Sequence, residues 1–517
     1  MTVETQAQGH AVLFSYEAWG HIRPLCVLAA QIVKARPIHI SFLTSARLLD
    51  RIEAEVSRSF SADDTTRNLI RAIAIPLEDG PQLLDVEGMN KSFADVYGKL
   101  VREEPVECAK TGRIYEAIPA PNTAIVDLFC NDPAKTVRKL SKRPVKVYDW
   151  IAGSSSFLLY PFGPTSKGGR GDRRPQVFET VEKTGRPINE VAEEIMLGID
   201  GSIIKLPGIP PMYDYEHQPQ EMMIKNIAGL LWIEAQGVLD ECDGVILSSP
   251  ECYEPEAVAA VREWFAETSR EAFAVGPLLP ISTSSSAIAG ENQGMANAAE
   301  ISSFLESTLE THGKGSMLYI SFGSLFWSSE PEKIWAFLDV LIEKKIPFIM
   351  SHASPLAIVP DEVKSRVQES GVGLLSPWSP QQTILSHPVV GWFVTHSGQN
   401  SVTEAIASGV PMICWPFHAD QPLNAVNLAH NLDVAYELIE VRNGDGLKPI
   451  LRNGRTPVGT VEAVRKEVAE VLENAFGLDG ERKRANMQKL REAMAAGWKE
   501  GGSARTSLHA LADALRA

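Results

Sequence analysis

Residues 378–421 read WSPQQTILSHPVVGWFVTHSGQNSVTEAIASGVPMICWPFHADQ. Within them 390–394 is a short apolar run, the pattern of a buried strand. It is followed by His396-Ser397-Gly398-Gln399-Asn400, a turn rich in hydrogen-bond donors. Residues 401–408 have helical composition, and Gly409 is placed to end that helix. Strand, polar turn and helix make a βα unit. The helix N-terminus favours an anion, such as a diphosphate, through its free N–H groups and its dipole. His396, Asn400 and Ser401 stand where their side chains add to such a cradle. Trp378 offers a flat face to a nucleobase, and Glu404 can accept hydrogen bonds from a ribose diol. A nucleotide-diphosphate sugar carries all of these groups. The plainer alternative is a Rossmann-type βα unit with a polar turn and no ligand.

The stretch resembles the donor-binding box of family 1 glycosyltransferases, best known from plant secondary-product enzymes. That box begins with Trp, ends in Asp-Gln and is 44 residues long, as here. Matching positions include Trp378, Pro380, Gln381, His387, Gly391, His396, Gly398, Asn400, Ser401, Glu404, Gly409, Pro416, Asp420 and Gln421. The resemblance implies an α/β chain of the GT-B fold, two Rossmann-like domains whose parallel sheets face a central cleft. It implies a UDP-sugar donor held by Gly20, Ser324, Trp378, Ser379, Gln381, His396, Gly398, Gln399, Asn400, Ser401, Glu404, Asp420 and Gln421. It also implies inverting transfer to a hydroxyl of a small, apolar acceptor. By the same resemblance Asp420 and Gln421 bind the sugar's 3- and 4-hydroxyls, which suits glucose. Two positions depart from the family pattern. Gln399 stands where many plant members have Trp, and Ser397 where they often have Cys. The amide offers hydrogen bonds in place of apolar cover beside the sugar.

Near the N-terminus, SYEAWGHIRP (15–24) contains Gly20-His21-Ile22-Arg23-Pro24, similar to the family's Gly-His-x-x-Pro turn. Pro24 suits an early helical position, which puts His21 at or just before a helix N-terminus. The positive end of the dipole there disfavours imidazolium, so His21 is expected to stay neutral and able to accept a proton. The strand AIVDLF ends near Asp127, at the edge where open α/β sheets bind ligands. The resemblance implies that Asp127 holds the far nitrogen of His21, which acts as general base on the acceptor hydroxyl. A further similarity, ISFGSLFW (320–327), provides Gly323 for close backbone approach and Ser324 as a phosphate donor. His10, His39, His312, His352, His418 and His430 have no such setting and default to structural roles.

At 517 residues the chain suits two large domains. Residues 1–280 are expected to form the acceptor-binding domain and 304–497 the donor-binding domain. The Ser-, Ala- and Gly-rich segment 281–303 reads as a linker. By resemblance the C-terminal helix, about 498–517, crosses back onto the first domain. The stretch 160–220 reads as polar and Pro/Gly-punctuated with a loop-like basic patch, and 221–237 as a helix, either core or acceptor-pocket wall. Net charge of −16 advertises no surface for nucleic acid. No basic residue near the box suggests a partner for a sugar carboxylate. No secretory leader or membrane span is legible, and six cysteines without a CxxC pair suit a soluble cytoplasmic protein. The expected protein is a monomer with no cofactor, the UDP-sugar being a co-substrate. No metal site is expected, since neither a metal-binding Asp-x-Asp nor a Cys/His cluster is present. A nucleotide-sugar epimerase of the same fold and a non-catalytic nucleotide-sugar-binding subunit are the alternatives.

Overall fold

The computed structural model describes residues 7–76, 86–280 and 297–516. Two parallel sheets dominate it. The seven-stranded sheet runs Glu271–Ala274, Gly244–Leu247, Lys146–Ile151, Thr123–Asp127, His10–Phe14, His39–Thr44, Ile70–Ala74. The six-stranded sheet runs Gly373–Ser376, Phe348–Ser351, Met317–Ser321, Val390–Thr395, Met412–Cys414, Ala435–Glu437. Central strands such as HAVLF, TAIVD and VGWFVT are buried along their whole length. Helices cover both faces of such sheets, which is why these strands read as unbroken apolar runs. In the second sheet Leu318, Ile320, Trp392 and Val394 enter one core, while Met317, Tyr319 and Phe393 enter the other. That is the two-residue alternation of a strand between two helix layers.

In both sheets the first strand along the chain is interior, and the order of winding reverses beside it. Ligands of open α/β sheets bind outside the strand C-termini at such a switch point. One switch point lies between His10–Phe14 and Thr123–Asp127, the other between Met317–Ser321 and Val390–Thr395. The neighbouring loops carry Tyr16 to His21 in one half and Gly323 to Ser324 with His396 to Ser401 in the other.

The helix Ser503–Ala514 packs on helix Trp19–Ala35 and strand Glu271–Ala274 of the first half. Asn122 Nδ2 donates to Leu515 O at 2.8 Å, and Trp498 Nε1 to Pro277 O at 2.9 Å. Two local expectations need correction. The linker reading covered 281–303; 281–296 lies outside the described residues, but 298–303 begins the helix Ala298–His312. The stretch 160–220 holds helices Arg174–Thr184 and Ile188–Met196. The helix read at 221–237 starts only at Ala228. Asn226 takes φ +63 just before it, and Glu221 is tied to the other half, its N–H donating to Asn443 Oδ1 at 2.6 Å.

Several bonds carry chain 215–221 onto the second half. Arg452 Nη1 donates to Glu216 Oε2 at 2.7 Å and its Nη2 to Glu437 Oε2 at 2.9 Å, all three groups being buried. Tyr215 Oη donates to Pro449 O at 2.6 Å, and Gln220 Nε2 to Pro416 O at 2.7 Å.

Candidate functional site

A cavity of about 720 Å³ lies between the halves, and every predicted donor-binding residue lines it. His21 lines it as well, while Asp127 stands behind His21, fully buried. His21 Nδ1 donates to Asp127 Oδ2 at 2.9 Å. The carboxylate also accepts from Ser15 Oγ at 2.9 Å and from the Phe129 N–H at 3.1 Å. Three donors fix its rotamer, and among the described residues Nε2 of His21 is left as the ring nitrogen without a partner.

His21 belongs to helix Trp19–Ala35, with Pro24 inside it. Pro24 has no N–H for the Gly20 carbonyl four residues back. Asn400 Nδ2, from the other half, donates to that carbonyl at 2.5 Å, and Trp150 Nε1 donates to His21 O at 3.0 Å. The expected effect of the dipole on His21 is not what prevails. Burial lowers its pKa, but the charge and hydrogen bond of Asp127, with Asp420 beyond, outweigh burial and raise it. A full carboxylate at hydrogen-bond distance exceeds the roughly half charge of a helix end.

Helix Gln399–Ser408 begins at Gly398 without a side-chain cap and stops at Gly409, φ +74. The Gln399 N–H goes to Asp420 Oδ2 at 3.0 Å. His396 is neutral, its pKa pushed down to about 4 by burial. A Cβ on Gly323 (φ +76) would come within 2.9 Å of the His396 ring, so that turn requires glycine. Ser397 and Ala419 take φ +67 and +59 without being glycine. Such conformations cost about 1 kcal/mol or more and gather where a site needs a specific backbone.

At one end of the cavity Asp420 has Oδ2 occupied by the Gln399 N–H and by Asn424 Nδ2 at 3.2 Å, leaving Oδ1 open. Gln421 Oε1 accepts from Phe417 N and His418 N, so Nε2 is the group it has to offer. Burial lifts the Asp420 pKa to about 6. At the other end Glu404 accepts from Gln381 Nε2 at 2.5 Å, Gln382 Nε2 at 2.9 Å and Arg23 Nη1 at 2.5 Å. Gln381 Nε2 also reaches Ser401 Oγ at 3.2 Å. The Arg51 guanidinium sits 4.0 Å from the Trp19 ring and 4.8 Å from the Trp378 ring. Ser379 is buried with its hydroxyl unpartnered. Phe129, Phe157, Ile227, Leu231, Trp232 and Phe326 also line the cavity, Phe129 with its ring centroid 5.5 Å from that of His21 and Phe326 with its own 6.1 Å from that of His396.

Sequence reading missed the bases Arg23, Arg51 and Arg58, which the first half brings to the box; Arg58 Nη2 donates to Gln382 Oε1 at 2.7 Å. It also missed His418, which lines the cavity rather than serving only the core. Arg23 had a local signal, since it lies within the Gly-His-x-x-Pro turn. Among the described residues no cluster of His, Cys, Asp and Glu is arranged to hold a metal. No helix among them is long and apolar enough to cross a membrane.

Comparison with known proteins bears on the same cleft. The family model for UDP-glucoronosyl and UDP-glucosyl transferase matches residues 251–442. UDP-glycosyltransferase eriJ of Hericium erinaceus is 31% identical over 520 residues, spanning 98% of this chain and 99% of its own. UDP-glycosyltransferase 72B1 of Arabidopsis thaliana is 24% identical over 527 residues, 99% of this chain and 97% of its own. The structure of Phytolacca americana UGT2 complexed with UDP-2fluoro-glucose and pterostilbene superposes with TM-score 0.67 at 20% identity, covering 98% of this chain and 100% of that one. A transferase from Siraitia grosvenorii in complex with UDP gives 0.68 at 20% identity, with 98% and 100% covered. These two structures share the GT-B fold with the present chain. The near-full-length relationship to the Hericium protein, with the family match over the donor box, makes this chain a member of the UDP-glycosyltransferase family.

Proposed function

We propose that the chain transfers glucose from UDP-glucose to a hydroxyl of a small apolar acceptor, with inversion at the sugar's C1. The observation that carries this is His21 held by the buried Asp127 at a sheet switch point, on the wall of the cavity that the donor box lines. Nε2 of His21 takes the acceptor's proton. The acceptor oxygen forms its bond to C1 as the C1–O bond to phosphate breaks, and that electron pair leaves with UDP. Asp127 keeps the proton on Nδ1 and stabilises the imidazolium that forms. The apolar residues that share the cavity lining with His21, Phe129 beside it among them, support an apolar acceptor.

In this reading Trp378 takes the uracil and Glu404 the ribose diol, with Arg23 sharing or yielding its place on that carboxylate. His396, Asn400, Ser401, Ser324 and the helix N-terminus hold the diphosphate without a metal ion. Gly20, Ser379, Gln381, Gly398 and Gln399 complete the donor contacts. Asp420 accepts from one sugar hydroxyl through Oδ1, and Gln421 donates to its neighbour through Nε2. The Phytolacca neighbour, complexed with UDP-2fluoro-glucose and pterostilbene, supports the same pairing of ligands. Six unpaired cysteines, five of them buried, support a reducing compartment such as the cytoplasm.

The experiment is His21→Ala, followed by transfer to a phenolic acceptor and by calorimetry with UDP. Transfer should fall by roughly 10²–10⁴-fold, the usual worth of a positioned base. UDP affinity should stay at the wild-type value. Near wild-type transfer to an unactivated hydroxyl would overturn the mechanism.

A further inference from the structure

We infer that Ser249 and Gln399 form a second reader of the donor sugar: Ser249 positions the Gln399 amide so that its remaining oxygen accepts a hydrogen bond from a sugar hydroxyl. The inference rests on the UDP-sugar reading above. It concerns a hydroxyl other than the pair assigned to Asp420 and Gln421.

The two residues come from different halves. Ser249 follows the strand Gly244–Leu247, on the C-terminal edge of the first sheet, and is fully buried. Its loop has little freedom. Ser248 N donates to Ile151 O at 3.0 Å, and a Cβ on Gly276 would come within 1.9 Å of the Ser248 carbonyl oxygen. Gln399 opens the helix of the donor box. Its Nε2 donates to Ser249 Oγ at 3.1 Å, and its backbone N–H donates to Asp420 Oδ2 at 3.0 Å. The side-chain amide is thus held by the first half, while the backbone of the same residue is tied to a carboxylate assigned to the sugar.

Gln399 is 4% exposed and lines the cavity, yet among the described residues its Oε1 has no partner. Buried amide oxygens in folded proteins are almost always bonded, because leaving one unpaired forfeits its hydration. An acceptor held rigidly and left empty beside Asp420 fits a ligand hydroxyl that arrives with the donor. An indole, common in the family at this position, has no acceptor atom and cannot make that bond. With the 3- and 4-hydroxyls assigned to Asp420 and Gln421, the hydroxyls left are those at C2 and C6. Ser249 acts here as a positioning residue, and Gln399 makes the contact.

The test uses the full chain with Gln399→Met and, because a buried substitution at the helix start can disturb folding, Ser249→Ala as a second variant. Affinities are measured by calorimetry for UDP, UDP-glucose and its 2-deoxy and 6-deoxy analogues, with kcat/KM for the three donors. The wild type should lose about 10- to 100-fold on removal of one of the two hydroxyls, as sites built to bond a hydroxyl do. Both variants should bind UDP as the wild type does, bind UDP-glucose more weakly, and lose most of that one penalty. Equal penalties in wild type and both variants would overturn the inference. So would a matching fall in UDP affinity, which would assign the pair to the diphosphate cradle. Affinity differences of the expected kind without sugar transfer by the wild type would support the contact while refuting the transfer mechanism.

Discussion

Asp127→Asn tests the catalytic pair most sharply, because the side chain keeps its shape and changes only what it can accept. The carboxylate takes three hydrogen bonds, two on Oδ2 from His21 Nδ1 and Ser15 Oγ, and one on Oδ1 from the Phe129 N–H. The Phe129 amide requires an acceptor, so the Asn oxygen takes the Oδ1 place and its NH₂ faces Ser15 and His21. Ser15 can turn its hydroxyl to accept. His21 must then present a bare Nδ1 and carry its proton on Nε2, the nitrogen that has to receive the acceptor's proton. Loss of the base in this way should cost about 10²–10⁴ in kcat/KM, or roughly 2.7–5.4 kcal/mol in the barrier. The pH profile gives a second readout. The active form is neutral imidazole, and its raised pKa means that wild-type activity falls as pH drops, with a midpoint above 6.5. Without the Asp127 charge, burial is the dominant influence and the acid-side midpoint should move down. The assay is kcat/KM across about pH 5–9, where imidazole titrates, with calorimetry showing unchanged UDP affinity. A variant with wild-type kcat/KM and an unmoved midpoint would refute the reasoning.

Other outcomes are expected. Trp378→Ala should raise Kd for UDP and UDP-glucose together by roughly 5- to 150-fold, from about 1–3 kcal/mol of lost base stacking; calorimetry giving equal affinities in wild type and variant would contradict its assignment to uracil. Transfer should persist in excess EDTA, and loss of activity restored by magnesium or manganese would refute the neutral cradle. In competition among UDP-glucose, UDP-galactose, UDP-xylose, UDP-glucuronate and UDP-N-acetylglucosamine with one acceptor, UDP-glucose should have the highest kcat/KM. Arg452→Met leaves Glu216 buried without its cation, which commonly costs about 3–5 kcal/mol; the thermal midpoint should fall, and acceptor KM should rise while UDP affinity holds.

Much of this architecture is legible in the sequence where burial is symmetrical. Runs such as TAIVD and MLYIS are apolar on both faces and short, so they read directly as strands, and Asp127 is a charge that closes such a run. The glycine at 409 stops its helix in the left-handed conformation expected of it. The helix Arg174–Thr184 was missed because it buries only Val177 and so shows no apolar stripe. Segment 221–227 carries helical composition, but its path is set by bonds to residues more than two hundred positions away. The arginines at 51 and 58 were invisible for the same reason: a pattern read along the chain contains no account of which distant cations a cleft will gather. His21 was located by its turn, yet its protonation depends on a carboxylate 106 residues away.

The stretch from Tyr215 to Glu221 belongs to the first half by sequence and to the second by attachment. This limits how the family can recombine. A crossover placed in the segment 281–296 separates Glu216 from Arg452 and Glu221 from Asn443, so a hybrid inherits mismatched ends of every bond in that strap. Residues 222–227, which form part of the cavity wall, then hang from an anchor that no longer fits them. Positions 439–455, none of which lines the cavity, thus help to set the shape of a pocket they do not touch.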